Sequence, residues 1–390
     1  MNYILFDSFG RDSLMPFTCT RPVADIRIGI MTIREKWEFF LKSSTSTLTQ
    51  PHLSNKYPLV KETDNLLING SLLPTEKMVS QINKLKSGQI LASEDVIIAM
   101  RVEESQIDDF AMQDVNDTID FEEDFVKLNE NWEIFSLNPK AIEDDFALLT
   151  KGRTSQPISK TNFINGDSKL IFLEEGAKVE FAFLNTNDGP IYVGKDAEIM
   201  EGSKVRGPFA LCEHAQLKMD AKIYGGTTVG PYSKVGGEVS NSVIFGYTNK
   251  GHDGFLGNSV LGEWCNLGAD TNTSNLKNTY EMVRLWSYDK ETFVSTGLQF
   301  CGLIMGDHSK SGINTMFNTG TVVGVSCNLY GSGFQRNFVP SFSWGGPAGM
   351  KPYNLSKAIQ VAKAVYKRRG MEFDQTEVEI FEFLNNCSPE

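Results

Sequence analysis

The residues best suited to chemistry fall in one stretch, Gly246 to Asn278, which reads GYTNKGHDGFLGNSVLGEWCNLGADTNTSNLKN. It holds one histidine, His252, a short ladder of glycines and a cluster of asparagines that includes Asn266 and Asn275. An imidazole ionises near neutral pH, so His252 is suited to take a proton from an attacking amine or hydroxyl. Carboxamides such as those of Asn266 and Asn275 both donate and accept, which holds a polar substrate in one pose. Backbone N–H groups near Gly268 are expected to stabilise an oxyanion. A lone histidine in a glycine-rich loop is more often solvated than catalytic, so the surroundings of His252 decide its meaning. His308, in Gly306-Asp307-His308, is a rival base that reads better as a corner residue of a repeat.

That repeat is what must position the stretch. Val193, Ile199, Val205, Leu211, Leu217, Ile223, Val229 and Val235 recur every six residues without a slip. Four residues after each comes a mostly small side chain, such as Ala197, Ser203, Ala215, Ala221, Thr227 and Ser233. Met305, Ser311, Phe317, Val323 and Leu329 form a second series, and Phe255, Leu261 and Leu267 hold the same step between the two. A period of six fits neither a helix nor a single strand and marks a β-solenoid. Each aliphatic points into a narrow triangular interior, above its equivalent from the previous coil. The step is lost between Val235 and Phe255, where an insertion is expected to leave the solenoid as a functional loop. The repeat resembles that of the left-handed parallel β-helix acyltransferases, which implies that fold here.

The chain before the repeat reads as α/β. Met1 to Phe6 is an apolar strand, followed by the turn-prone loop Asp7-Ser8-Phe9-Gly10-Arg11-Asp12. A helix is expected from about Ile30 to Leu41, with Ile33, Trp37, Phe40 and Leu41 at helical spacing. Leu66-Leu67-Ile68-Asn69-Gly70 is a second strand ending at a turn. Residues 103 to 124 carry ten acids and no Lys or Arg, which reads as a solvated face. Trp132 to Leu149 is expected to give a short strand and then a helix. The breaker-rich Gly152-Arg153-Thr154-Ser155-Gln156-Pro157 marks a boundary. The expected organisation is an α/β domain over 1–155, a β-helix over 160–345 and a helical tail over 350–390. In the tail, Asn354 to Arg369 and Glu377 to Leu384 read as helices.

Composition narrows the partners. The net charge is -12 and the pI is about 5.0, which argues against nucleic acid or an anionic membrane surface as partner. No apolar run approaches the roughly 20 residues that span a bilayer. The first seven residues lack the basic start of a signal peptide. Six scattered cysteines with no CxxC pair read as reduced thiols, with a cytoplasmic location and no zinc site.

Two segments resemble the GlmU-related bifunctional sugar nucleotidyltransferase/acetyltransferases. Near the N-terminus, Thr20 to Arg27 reads TRPVADIR and Gly29 to Trp37 reads GIMTIREKW, after Gly10-Arg11 and Pro16-Phe17-Thr18. The resemblance implies a nucleotidyltransferase-like, Rossmann-like domain in which Arg11 and Arg21 face phosphate. Asn69 stands where the family places a Mg²⁺-binding aspartate. The family's paired glycines are missing, and Val23 replaces its lysine; no metal ligand set is assigned. Around His252, the resemblance matches Gly257, Asn266, Gly268, Ala269, Thr271 and Asn275, with Glu238 fourteen residues before the histidine. It implies His252 as base, with Glu238, Asn266, Ala269 and Asn275 binding substrate. Ser240 stands in place of a phosphate-facing lysine and Phe255 in place of a tyrosine; the arginine of the family's Leu-Arg-Pro-Gly turn has no counterpart, and Arg206 and Lys250 are its expected substitutes. The implied protein is a cytoplasmic homotrimer for cell envelope biosynthesis. Acetyl-CoA is its co-substrate, Mg²⁺ serves nucleotidyl transfer, its substrates are sugar phosphates and nucleotides, and its product is of the UDP-N-acetylglucosamine type. Two alternatives stay open: an acyltransferase with a degenerate sugar-nucleotide-binding first domain, and a trimeric scaffold without catalysis.

Overall fold

The computed structural model describes residues 1–107 and 117–387. Asp108, Asp109 and Asp114 of the acidic run lie outside the described residues. The chain divides into two compact units. The first comprises Met1–Leu14, Thr20–Ile26 and Met31–Asn129; the second comprises Met15–Cys19, Arg27–Ile30 and Glu130–Glu390.

The first unit is built on a mixed six-stranded sheet. The expected first strand, Asn2–Phe6, lies between Ser46–Leu48 and Asp64–Asn69 and is parallel to both. Val96–Glu103 then runs antiparallel to Asp64–Asn69 and to Ile90–Ser93. Strands covered on both faces carry unbroken apolar runs, and Ile4, Leu5, Leu66, Leu67 and Ile68 are fully buried. The helix expected from Ile30 starts at Ile33 instead. Thr32 fixes that start: its hydroxyl accepts the Glu35 N–H while the Glu35 carboxylate accepts the Thr32 N–H, a capping box. Trp37 anchors the helix, donating its indole N–H to Leu72 O at 2.9 Å.

In the second unit the strand expected after Trp132 is absent. Glu133–Ser136 is a helical turn and Asn138–Thr150 a helix. Pro139 sits in the first turn, where its missing N–H costs nothing and its fixed φ favours helix over strand.

The hexad repeat winds a three-sided solenoid. Val193, Ile199 and Val205 lie on strands of three different sheets. In the next coil they pair in register with Leu211, Leu217 and Ile223, each eighteen residues on. Three hexads therefore make one coil, and each interior aliphatic sits on its predecessor. The small residues Ala197, Ser203, Ala215, Ala221, Thr227 and Ser233 are fully buried beside them.

Two expectations about the break in the repeat are corrected. No loop leaves the solenoid between Val235 and Phe255; the coil tightens instead. Val229 pairs with Ile244 and Val235 with Lys250, fifteen residues on rather than eighteen. One residue is lost between Val239 and Ile244, five apart where the repeat has six, and Gly236 and Gly237 account for the other two. With Gly237 at φ +72°, they turn in two residues a corner that elsewhere takes four. Phe255 is not an interior residue: Leu256 is fully buried and Phe255 faces outward. The real excursion comes later, between Leu276 and Phe300. It carries an antiparallel hairpin of Arg284–Ser287 with Thr292–Ser295, after which Leu261 pairs with Met305.

Helices Leu355–Lys367 and Gln375–Cys387 form the tail, the first capped by the Asn354 side chain accepting the Lys357 N–H at 3.1 Å. Among the described residues, no helix is long and apolar enough to cross a membrane.

Close stacking of coils makes some corners intolerant of any side chain. A Cβ at Gly230 would fall on the carbonyl of Phe245 in the next coil. Gly230→Ala is therefore expected to lower stability by about 3 kcal/mol, read as a fall in the calorimetric midpoint. An unchanged midpoint would contradict this account of coil spacing.

Candidate functional site

His252 opens onto a cleft of about 660 Å³ on the second unit, shared with Asn249, Asn266, Gly268, Ala269, Tyr247 and Trp264. Strand alternation builds its floor. Lys234, Asn249, Asn266 and Lys310 pair in register on successive coils of the ten-stranded sheet, which makes one outward-facing polar column. His252 lies two residues beyond the Asn249–Lys250 strand, exposed at the corner that leads to Phe255–Gly257. Gly236 and Gly237 back this corner; a Cβ on Gly237 would come 2.9 Å from His252 O.

Charge distinguishes the cleft. Lys218, Lys234, Lys310, Arg368 and Arg369 line it, and among the described residues no carboxylate does. Burial first, then Lys218, Arg369 and Arg368, hold the Lys234 ammonium below the usual lysine range. Burial likewise lowers Lys310. Such a field, in a chain of net charge -12, concentrates anions at this one place.

The arginines come from the tail, and an aromatic ladder sets their position. Tyr232, Tyr247 and Trp264 sit at successive left-handed corners, with ring centroids 5.0 and 4.2 Å apart. Tyr366 of the tail helix stacks on Trp264 at 4.0 Å, two residues before Arg368. His308 is 6% exposed and packs among Trp264, Tyr366, Phe373 and Phe381, so its place is in the ladder and its tail contacts.

Of the residues singled out by sequence, the cleft brings together His252, Asn266 and Ala269. Glu238 and Asn275 do not line it. Glu238 pairs in register with Lys222 and Phe255 on the six-stranded side of the corner. Asn275 donates to Asn258 Oδ1 at 2.8 Å. Gly268 N–H donates to Ser311 O at 3.0 Å and is not available to an oxyanion. Lys250 is not a surface grip: it is 2% exposed, in the interior column between Val235 and Leu267. The cations that do face the cleft were legible only in part. Lys234 and Lys310 each precede an interior position of the repeat, but nothing local places Arg368 and Arg369 beside them.

In the first unit the predicted phosphate and metal residues are buried. Arg11 is 5% exposed, with Nε 3.3 Å from Asp7 Oδ2 and Nη1 3.2 Å from Asp12 Oδ1. Asp7 also accepts the Val23 N–H and the Thr49 hydroxyl, and burial raises its pKa. Arg21 is 3% exposed. Asn69 donates to Ile97 O at 3.0 Å and accepts from Ser71 N at 3.1 Å and Ser71 Oγ at 2.7 Å. An amide oxygen so engaged does not fit Mg²⁺, which demands open, charged oxygen ligands.

Lys250 gives the cleft region a pH signature. Burial pushes its ammonium down from 10.5 to about 8, against the opposing pull of Asp253 and Asp270. Between those values the unfolded chain holds the proton and the folded chain has released it, so stability rises with pH across that window. At lower pH both states are protonated and the burial penalty is felt in full. The rise is on the order of 3 kcal/mol, and Lys250→Met is expected to abolish it. Denaturant unfolding of both proteins at about pH 7.5 and about pH 10.5 measures it; identical pH dependence would contradict the burial effect.

Residues 3–154 match the family model of a sugar nucleotidyl transferase. The chain is 36% identical over 90 residues to the bifunctional protein GlmU of Methanocaldococcus jannaschii, covering 23% of this chain and 21% of that protein. It is 26% identical over 144 residues to a bifunctional sugar-1-phosphate nucleotidylyltransferase/acetyltransferase of Sulfurisphaera tokodaii, covering 36% and 35% of the two chains. These matches thus span about a fifth to a third of the curated relatives. Among solved structures, a UDP-N-acetylglucosamine acyltransferase aligns at 15% identity with a TM-score of 0.24, covering 58% of this chain and 86% of that one. The chain is related to the GlmU-type bifunctional sugar nucleotidyltransferase/acetyltransferases, with the sugar nucleotidyl transferase match confined to its first 154 residues.

Proposed function

We propose that the solenoid transfers an acetyl group from acetyl-CoA to the amine of an amino-sugar phosphate, with His252 as general base. The observation that carries this reading is an exposed imidazole at the edge of a cleft lined by five cations and, among the described residues, no carboxylate. Coenzyme A is a polyanion, and Lys218, Lys234, Arg368 and Arg369 match its phosphates. As the amine attacks the thioester carbonyl, the imidazole takes its proton and the carbonyl electron pair moves onto oxygen. The exposed carboxamide of Asn266 is the donor at hand for that oxygen. Collapse re-forms the carbonyl, breaks the C–S bond and releases the thiolate, which takes the proton from the imidazolium.

Glu238 and Asn275, around the corner, are assigned to the sugar. The exposed rings of Phe163 and Phe183, stacked at 5.0 Å lower on that face, favour its being covered by another copy of the chain. A homotrimer would meet that need. Release of free thiol from acetyl-CoA with glucosamine-1-phosphate tests the proposal. His252→Ala is expected to slow it by about 10²–10⁴-fold; an equal rate would remove His252 from the mechanism.

For the first unit the bifunctional reading implies nucleotidyl transfer to a sugar-1-phosphate. A second reading is favoured by the buried Arg11–Asp7 pair and the engaged Asn69: this unit binds a sugar nucleotide without turning it over. No pyrophosphate release is then expected from UTP or dTTP with a panel of sugar-1-phosphates. Robust turnover would end that version.

A further inference from the structure

The interior column of the ten-stranded sheet runs Leu217, Val235, Lys250, Leu267, so a lysine occupies a place where its neighbours are aliphatic. Its side chain is 2% exposed and lies within the solenoid. Nζ donates to Gly236 O at 2.9 Å and to His252 O at 3.0 Å. These carbonyls belong to two stacked corners: the tightened Gly236-Gly237 turn and the turn that presents His252. A leucine or methionine there would fill the column without desolvating a charge. The ammonium therefore works against the stability of the fold and ties down the backbone of the proposed base.

We propose that Lys250 is a positioning residue: through Nζ it clamps the His252 carbonyl to the Gly236 corner and so fixes the direction of the imidazole. Residues that oppose stability cluster where function requires a fixed geometry. Here the geometry is that of a side chain on a two-glycine-backed corner. Without the clamp, the corner would keep the flanking backbone bonds, Gly236 N–H to Lys250 O at 2.7 Å and Asp270 N–H to Asp253 O at 3.0 Å, and lose the bond to the His252 carbonyl itself. The inference rests on the acyl-transfer reading only for its effect on turnover.

Lys250→Met in the full chain tests it by three measurements: thermal midpoint, steady-state thiol release, and the rate at which diethyl pyrocarbonate modifies His252, followed by peptide mass spectrometry. The expected result is a midpoint equal to or above that of the parent. With it come kcat lower by about 10-fold or more, KM within about threefold, and a changed rate of His252 modification. Unchanged kcat together with unchanged His252 reactivity would overturn the proposal. So would a variant that melts earlier or fails to fold, because Lys250 would then serve the fold. Should the parent protein show no acyl transfer, the acyl-transfer reading fails by itself. The His252 modification rate, read beside the midpoint, still decides whether Lys250 positions the imidazole.

Discussion

Register between successive coils is the constraint on which the second unit depends. Parallel strands lock each coil to the next by evenly spaced backbone hydrogen bonds, and the narrow interior admits only the inward-facing alternate side chains of each strand. Val193 over Leu173 and Leu211 over Val193 show the rule at its most regular. Because backbone bonds hold the coils at a fixed spacing, an outward-facing residue inherits its position from the stack. The column of Lys234, Asn249, Asn266 and Lys310 is the outer record of the same register that stacks Val235 and Leu267 inside.

The site arises where that regularity is modified without being broken. Two glycines take two residues out of one corner, a third is lost before Ile244, and His252 lies on the corner directly above the glycines. The cleft beside it gathers cations from two sources that are far apart in sequence. Lysines come from the solenoid face, and arginines from the end of a helix held by Tyr366 on Trp264. In an acidic protein, this concentration of unneutralised positive charge is what separates the cleft from an ordinary surface groove.

The first unit shows the opposite arrangement. Its arginine and asparagine, placed by sequence at phosphate and metal positions, are turned into internal hydrogen bonds and ion pairs. Arg11 faces Asp7, and Asn69 closes a turn with Ser71. The backbone elements expected there are present, whereas the side chains are engaged with the protein itself. A match to a family's element order therefore carries less functional weight than a match in which the polar atoms stay free.

The sequence by itself determined the solenoid, because a six-residue period has one economical packing and its aliphatics announce it. It also determined the tail helices and the first strand, whose local patterns need no long-range information. It did not reveal that the chain tightens at Gly236-Gly237, since a deletion and an inserted loop both interrupt a period in the same way. It could not say that Lys250 points inward: strand alternation depends on register, and register was lost at that corner. Only the tertiary structure decided that Arg368 and Arg369 reach the cleft. Their position follows from a stacking contact more than a hundred residues away in sequence, and no local pattern encodes where a helix docks.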